Sequence, residues 1–294
     1  MKAYFIETVW HTLAHTAVLL PFLFLTYLLM ELIEHKSEGK TSAIIEKAGR
    51  FGPLLGGILG AIPQCGFSAA ASGLYSGRVI TYGTLIAVYL STSDEMVAVM
   101  LSGAVKNPEN IKKLMIILAV KVVSAVVVGF VCDLLIRRKK QDEDGIGRVC
   151  EEEGCRCGER GIFISSLLHT VKIFGFIVAV TFVINNIVFF VGEENLGSVM
   201  KRIPVLGEFI AGLIGLIPNC ASSVVITELY LDGIITSGQM LSGLFVGAGI
   251  GLPVLFRTNR NIKENLTVLF TVYLAGVAFG ILIGETGLAA LMGI

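Results

Sequence analysis

Two short motifs of matching composition stand 155 residues apart in this chain, Pro63-Gln64-Cys65 and Pro218-Asn219-Cys220. Each contributes a side-chain amide, which offers both a carbonyl oxygen and N–H donors, and one cysteine sulfur. Serines follow both motifs, where they could cap the start of a helix. The motifs therefore predict a two-part binding site with nine substrate-binding candidates: Pro63, Gln64, Cys65, Ser68, Pro218, Asn219, Cys220, Ser222 and Ser223.

The donor types in this pair of motifs leave two substrate classes open. Cysteine thiolates favour a soft metal or a metalloid, whereas amide and carboxylate oxygens suit a harder cation such as manganese. Cys65, Cys220 and Asp94 are accordingly the candidate metal ligands within the spans. The alternative interpretation is that both cysteines are small buried packing residues.

A polar run, Ser91-Thr92-Ser93-Asp94-Glu95, interrupts a stretch that is otherwise apolar. Ionisable residues at membrane depth are costly and are functional candidates by default. The matching segment of the second half, Gly247–Pro253, holds glycine and proline but no acid, so we expect this span to be broken in both halves. Alternatively, the acids lie at the outer headgroups. The candidates for ion coupling are Ser93, Asp94, Glu95, Glu228, His15 and His169.

Three further cysteines, Cys150, Cys155 and Cys157, stand within eight residues of a charged segment. Close thiolates would suit zinc or a thiophilic metalloid, although the spacing is not a standard four-ligand set. The segment is predicted to be cytoplasmic, where thiols stay reduced. We therefore expect these cysteines either to capture metal or to belong to an incidental polar linker.

The elements that carry these residues are membrane helices, as the composition indicates. The 294 residues are 54% apolar and 16% charged, with a mean hydropathy of +0.79 and no net charge. A nucleic-acid-binding protein would show a basic excess, and a disordered chain would be more charged. Stretches of about 20 apolar residues predict spans, here Val9–Leu32, Thr81–Leu101, Leu114–Ile136, Ile164–Val191, Thr236–Phe256 and Leu266–Ile283.

Two further apolar stretches are interrupted by the proline motifs. Phe51–Ile62 and Gly66–Tyr75 flank the first motif, and Leu206–Ile217 and Ala221–Leu231 flank the second. Each piece is about half the length that a membrane span needs, which predicts re-entrant hairpins of two half-helices meeting near the midplane. The alternative is that Pro63 and Pro218 merely kink two structural helices.

The chain also repeats itself. Twelve of 32 residues are identical between Gly52–Gly83 and Gly207–Gly238, which indicates a duplication into residues 1–137 and 161–294, joined by the Cys-rich linker 138–160. Lysine and arginine favour the cytoplasmic side, and the arrangement with both termini outside puts fifteen of them inside and six outside. Each half then crosses the membrane an odd number of times. We predict an all-α protein of about ten membrane helices in two inverted repeats, with Lys121 and Lys172 inside spans.

With these residues in view, the sequence resembles the ten-span heavy-metal exporter family, whose members are labelled arsenic efflux proteins or manganese transporters. The resemblance rests on IPQCGFSAAASGLYSG, STSDEM, IPNCASSVV and the Cys-rich linker followed by His169-Thr170. The chain is also similar to arsenical-efflux permeases, which have a Pro-Glu pair where this chain has Ser93-Asp94-Glu95. The resemblance implies export of a metal or metalloid. A three-thiol arsenical site would need Cys132 to approach Cys65 and Cys220.

Together these patterns predict a secondary-active exporter of a heavy metal or metalloid in the cell (inner) membrane, with substrate bound between the two proline motifs. A manganese exporter is the main alternative. A membrane thiol oxidoreductase would require Cys65 and Cys220 within disulfide distance, and a passive channel would require a continuous polar stripe. We expect no enzymatic activity, no cofactor apart from the transported ion, and no nucleic-acid partner. The partners are the lipid bilayer and the metal ion, with a homodimer left open.

Overall fold

The fold was determined as a computed structural model, which describes residues 51–63, 66–93, 95–104, 108–136, 162–191, 206–218, 220–286 and 289, together with residues 20, 21, 24, 25, 27 and 28. The described chain is helical. Its helices are α1 (Gly52–Gly60), α2 (Gly66–Ser76), α3 (Tyr82–Ser91), α4 (Met96–Ala104), α5 (Glu109–Leu135), α6 (Ile162–Val191), α7 (Leu206–Gly215), α8 (Cys220–Leu231), α9 (Ser237–Val246), α10 (Gly251–Thr258) and α11 (Ile262–Glu285).

These bounds confirm most of the predicted elements. The half-helices beside the proline motifs are α1, α2, α7 and α8, and they begin and end within two residues of the predicted positions. The expected interruptions of the next span are also present, between α3 and α4 and between α9 and α10. The predicted first span, Val9–Leu32, lies almost wholly outside the described residues, as does the linker.

Helices of the two halves correspond at the offset found in the sequence. Moving 155 residues along the chain turns the bounds of α3 into those of α9, and the start of α4 into the start of α10. Helices α3 and α9, which we call the inner helices and which open the two interrupted inner spans, each begin with a threonine cap. Thr81 accepts a hydrogen bond from the Thr84 N–H, and Thr236 accepts one from the Gln239 N–H. The backbone angles of the two caps are almost identical, at φ −78°, ψ 164° and φ −77°, ψ 161°. The same local signals therefore build the same local structure twice.

Four segments are long and apolar enough to cross a membrane, judged by length and composition over the described residues. Two are the interrupted segments Tyr82–Ala104 and Ser237–Thr258, each with an apolar 18-residue stretch that is 71% and 83% buried, respectively, inside the protein. The other two are the continuous helices α5 and α11, in which the corresponding stretch is only 33% buried. Their exposed faces carry large apolar side chains, including Leu134 and Leu274. The interrupted spans thus form the centre, and the continuous ones present apolar surface outwards.

Each inner helix packs closely on an outer one through a pair of glycines. A Cβ atom at Gly83 would collide with the Gly129 carbonyl oxygen of α5. In the second half, a Cβ atom at Gly238 would lie 2.8 Å from the Gly280 carbonyl oxygen of α11. Small residues of this kind let the backbones of membrane helices approach one another. The two glycine pairs hold the broken spans against their neighbours.

The two halves exchange partners at the centre of the molecule. Helix α2 of the first half packs on α10 of the second, and α8 of the second half packs on α4 of the first. Side chains join α2 to α10 directly, since Ser76 Oγ and Thr258 Oγ1 lie 2.6 Å apart. The breaks in both inner spans therefore lie between elements drawn from both halves.

Candidate functional site

The interruption of the first inner span releases a backbone carbonyl. In a continuous helix the Thr92 carbonyl would accept a hydrogen bond from the N–H of residue 96, four positions on. Here the Met96 N–H donates to the Ser93 carbonyl at 3.1 Å instead. The helix-ending residue Thr92 also donates its hydroxyl to the Val88 carbonyl. The Thr92 carbonyl is consequently available for another donor.

The second inner span is interrupted in a similar way. The Leu244 carbonyl would ordinarily accept from the N–H of Ala248. That N–H donates to the Val246 carbonyl at 2.8 Å, while the Gly247 N–H still closes the last helical turn on Gly243. A glycine with positive φ, Gly249 at 54°, lets the chain turn into α10. The Leu244 carbonyl is therefore the second one that loses its usual helical hydrogen bond.

Lys121 joins these two carbonyls. Its Nζ donates to the Thr92 and Leu244 carbonyl oxygens, each at 2.6 Å, and lies 5.7 Å from the centre of the Phe245 ring. The side chain is completely buried, at 0% exposure, on the inward face of α5. A lysine within a membrane span must either find hydrogen-bond partners or extend to water. Lys121 finds partners. This one cation therefore ties both broken spans to a continuous one.

A second buried polar cluster lies where α2 meets α10. Ser72 Oγ lies 2.7 Å from Tyr89 Oη and 2.7 Å from each of the Ser68 and Gly251 carbonyl oxygens. The serine has a single proton to donate to those carbonyls, so the tyrosine hydroxyl is the donor to Ser72. Gly251 leaves no room for a side chain, because a Cβ atom there would lie 2.9 Å from Ser68. The cluster fixes the start of α10 against the second half-helix.

The proline motifs stand at the connections between the half-helices. Pro63 is exposed and Pro218 is half-buried, while Gln64, Cys65 and Asn219 lie outside the described residues. Cys220 is the first residue of α8, and its side chain is likewise not described. Gly60, three residues before Pro63, packs on Ser91 at the end of α3. The first motif therefore begins three residues after a contact between α1 and the end of α3.

Three serines were predicted to cap α2 and α8, the helices that follow the proline motifs. Ser68 is fully buried, and its carbonyl accepts from Ser72. Ser222 donates to the Ile217 carbonyl at 3.2 Å, which links the first turn of α8 to the connection that follows α7. Ser223 is half-buried, and its carbonyl accepts from Thr227. The structure thus brings Ser68 to the centre and Ser222 to the junction of α7 and α8.

The coupling candidates separate into buried and exposed residues. Ser93 is buried and donates to the Ser91 carbonyl at 3.0 Å, and Glu95 is half-buried. Asp94 and His15 lie outside the described residues, whereas Glu228 is exposed on α8. His169 is buried, and its ring stacks on Tyr27 with centroids 5.4 Å apart. Aromatic stacking on Tyr27 therefore accompanies the burial of the His169 ring.

The metal-site predictions fall mainly outside the described chain, which includes neither the linker cysteines 150, 155 and 157 nor Cys65. Within the part that is described, no group of three or more His, Cys, Asp or Glu side chains could hold a metal ion. Cys132 is buried and free, but its neighbour Asp133 accepts from the Gly83 N–H at 2.7 Å. That contact puts Cys132 at the start of α3, about 15 Å along the helix from the break.

Two carboxylates at the starts of the inner helices were not singled out in the sequence. Asp133 accepts from the Thr81 hydroxyl and the Gly83 N–H, both at 2.7 Å. In the second half Glu208 comes from a different helix, α7, and its side chain lies beside Gly238. Glu208 is 4% exposed, and its Oε2 has no hydrogen-bond partner among the described residues. Acids near a helix start interact favourably with the helix dipole.

The Ser72 cluster and Lys121 bonds also went unpredicted, although one signal was available. Ser68, Ser72 and Ser76 recur every four residues, which puts them on one face of a helix. That spacing in an apolar segment indicates a polar seam, and the seam is present as the α2–α10 contact.

The two interrupted spans are buried, and the continuous helices beside them present apolar surface. A buried cation lies where the interruptions meet. These features are those of a polytopic membrane protein. Residues 3–153, just over half of the chain, match the family model described as "Putative, 10TM heavy-metal exporter". The chain belongs to this family, which makes it a multi-span membrane transporter of the heavy-metal efflux type. No curated protein and no solved structure matches the chain.

Proposed function

We propose that the chain is a secondary-active exporter of a heavy metal or metalloid, with substrate bound between the Pro63-Gln64-Cys65 and Pro218-Asn219-Cys220 connections. The observation that carries the proposal is the convergence of both interrupted spans on one buried polar centre, bonded through Lys121. Non-helical backbone at membrane depth is tolerated where it is buried in protein or lines a cavity. Transporters commonly bind substrate at such points.

We further propose that the two halves are inverted repeats and that α1–α2 and α7–α8 are re-entrant hairpins in the inner membrane. The corresponding helix bounds and threonine caps support the repeat, and the Lys/Arg count supports the orientation with both termini outside. Each half-helix has 9–12 residues. That length covers only about half of the hydrocarbon core.

The first experiment measures the content of arsenic, manganese, zinc and cadmium in cells with and without the gene. An exporter lowers the internal level of its substrate, and inverted vesicles should then accumulate that substrate directly. Unchanged levels of all four elements would sink the exporter assignment. The same vesicles, prepared without nucleotide, test whether an ion gradient alone drives transport.

The second experiment separates a thiophilic substrate from a hard one. If arsenite is carried by thiolates, Cys65→Ser and Cys220→Ser should each reduce vesicle uptake by at least about tenfold, because oxygen replaces a preferred soft ligand. Cys132→Ser is the matched control, since this buried cysteine of α5 lies beside the start of α3, away from the interruption. If manganese is carried, Gln64→Ala, Asn219→Ala and Asp94→Asn should reduce uptake more than the cysteine variants do.

A further inference from the structure

We propose that the meeting point of the two interruptions is a binding site for a monovalent cation, and that the ammonium group of Lys121 fills it permanently. Among the described residues, the site includes the Thr92 and Leu244 carbonyl oxygens and the face of the Phe245 ring. The proposal concerns the protein's own architecture, so it does not depend on which substrate is exported.

The acceptors at this point are suited to a cation. Both carbonyls lie in the last turn of a helix or at its cap, where the partial charge of the helix dipole is negative. Each has lost its ordinary helical donor, because Met96 and Ala248 donate to other carbonyls. Two helix ends of the same sign therefore point at one position, and a positive charge there stabilises both.

Bulk solvent does not reach this position. Lys121 is 0% exposed, and Thr92, Leu244 and Phe245 are each buried as well. A buried carbonyl without a donor costs free energy, because it has given up its hydrogen bonds to water. The aromatic ring adds a cation–π contact at 5.7 Å. A cation at this position thus gives both buried carbonyls a hydrogen-bond donor and gains a contact with the ring.

Only one half of the molecule supplies this charge. The segment Asn110-Ile111-Lys112 recurs as Asn261-Ile262-Lys263, an offset of 151 that aligns Lys121 with Val272. Val272 is fully buried on α11. In the part of the chain that the structure describes, one cation of this kind therefore serves two interrupted spans, and it bonds to a carbonyl from each half.

In transporters driven by sodium or protons, the C-terminal ends of half-helices and unwound carbonyls coordinate the coupling ion. Here the corresponding position is occupied by a charge on a covalent tether, which cannot leave. We therefore expect the wild-type protein to need no sodium or potassium at this position. Removing the tethered ammonium should convert the position into a site for a soluble cation.

The test uses the purified full chain in detergent, with Lys121→Ala compared with wild type. Thermal unfolding is followed in ethylammonium, ammonium, sodium or choline chloride at equal ionic strength. Ethylammonium should raise the midpoint of Lys121→Ala by about 2–4 °C over choline once the site is mostly filled. Choline, a bulky quaternary cation, has no N–H to donate to the carbonyls. Wild type and Lys172→Ala, which removes an exposed lysine, should not respond.

Equal midpoints of Lys121→Ala in ethylammonium and choline would overturn the proposal. If this variant does not accumulate, Lys121→Met and Lys121→Arg decide the matter. Methionine keeps an extended side chain without the charge, and arginine keeps the charge. The proposal requires arginine to retain a midpoint closer to that of wild type than methionine does, and a methionine variant as stable as wild type would contradict it.

Discussion

The interruption after Ser91 and the interruption after Val246 occupy the same position in their spans, yet they are built from different chemistry. The first contains Thr92, Ser93 and Glu95, and the second is Gly247-Ala248-Gly249-Ile250. Both nevertheless release one carbonyl to the same lysine. The comparison shows that the backbone frame is shared, while the polar and charged side chains lie in the first of the two interruptions. The side chains at a repeated interruption can thus differ without changing the helices around it.

The largest expected effect comes from making the first half resemble the second at its lysine. Lys121→Val removes the donor of two buried carbonyls and should lower the free energy of unfolding by about 2–5 kcal/mol. The measurement is the thermal midpoint of the purified protein. Lys172→Val is the matched control and should change stability by less than about 0.5 kcal/mol, because this lysine is exposed. A Lys121→Val protein as stable as wild type would mean that the two halves do not differ in this way.

The next comparison concerns Ser72 and its counterpart Thr227, which are both buried. Ser72 bonds across to Tyr89 and Gly251, whereas the Thr227 hydroxyl donates to Ser223, one turn back in its own helix. Ser72→Ala should therefore cost about 1–3 kcal/mol, because buried groups on α3 and α10 lose their partner. Thr227→Val should cost less than about 1 kcal/mol. Denaturation of both variants side by side measures the difference, and equal losses would remove the asymmetry between the seams.

The carboxylates at the helix starts provide a smaller contrast. Asp133→Asn leaves an NH₂ group or a neutral oxygen where the Gly83 N–H and Thr81 hydroxyl now donate, and should cost about 1–2 kcal/mol. Glu208→Gln should cost less, since Oε2 has no hydrogen-bond partner in the described part of the chain. Thermal unfolding at neutral pH distinguishes the two. A larger loss for Glu208→Gln would show that this acid, rather than Asp133, is the one that stabilises its helix start.

The smallest effects on stability are expected at the turn that holds Arg78 in the first half and Gly233 in the second. Arg78 and Gly233 correspond at the offset of 155 and share positive φ, 61° and 69°. Gly233→Ala meets no atom within 4 Å, so only the backbone conformation opposes it, at about 1 kcal/mol. Arg78→Gly should be nearly neutral, because relief of the same strain offsets the loss of the 2.9 Å ion pair with Glu264. Midpoint shifts of equal size and sign would contradict this account.

The sequence predicted local features well and remote contacts poorly. The proline motifs, the polar run at residues 91–95 and the Gly–Pro segment at 247–253 each carry a local signal, and helices end at all of them. The acceptors of Lys121 lie 29 and 123 residues away, and the carbonyl that Ser72 reaches lies 179 residues away. No periodicity specifies those pairings. The exposure of Glu228 depends in the same way on how α8 is rotated against α4 and α9.

The exchange of partners between the halves has a consequence for synthesis of the protein. Ser72 cannot bond to Gly251 until 179 more residues have been added. At usual translation rates of about 5–20 residues per second, that interval lasts about 10–35 s. Helices α1, α3 and α5 can associate at once, but the serine seam of α2 lacks its Gly251 and Thr258 partners until α10 has been made. A nascent chain that stops before residue 251 therefore lacks the Gly251 carbonyl that accepts from Ser72.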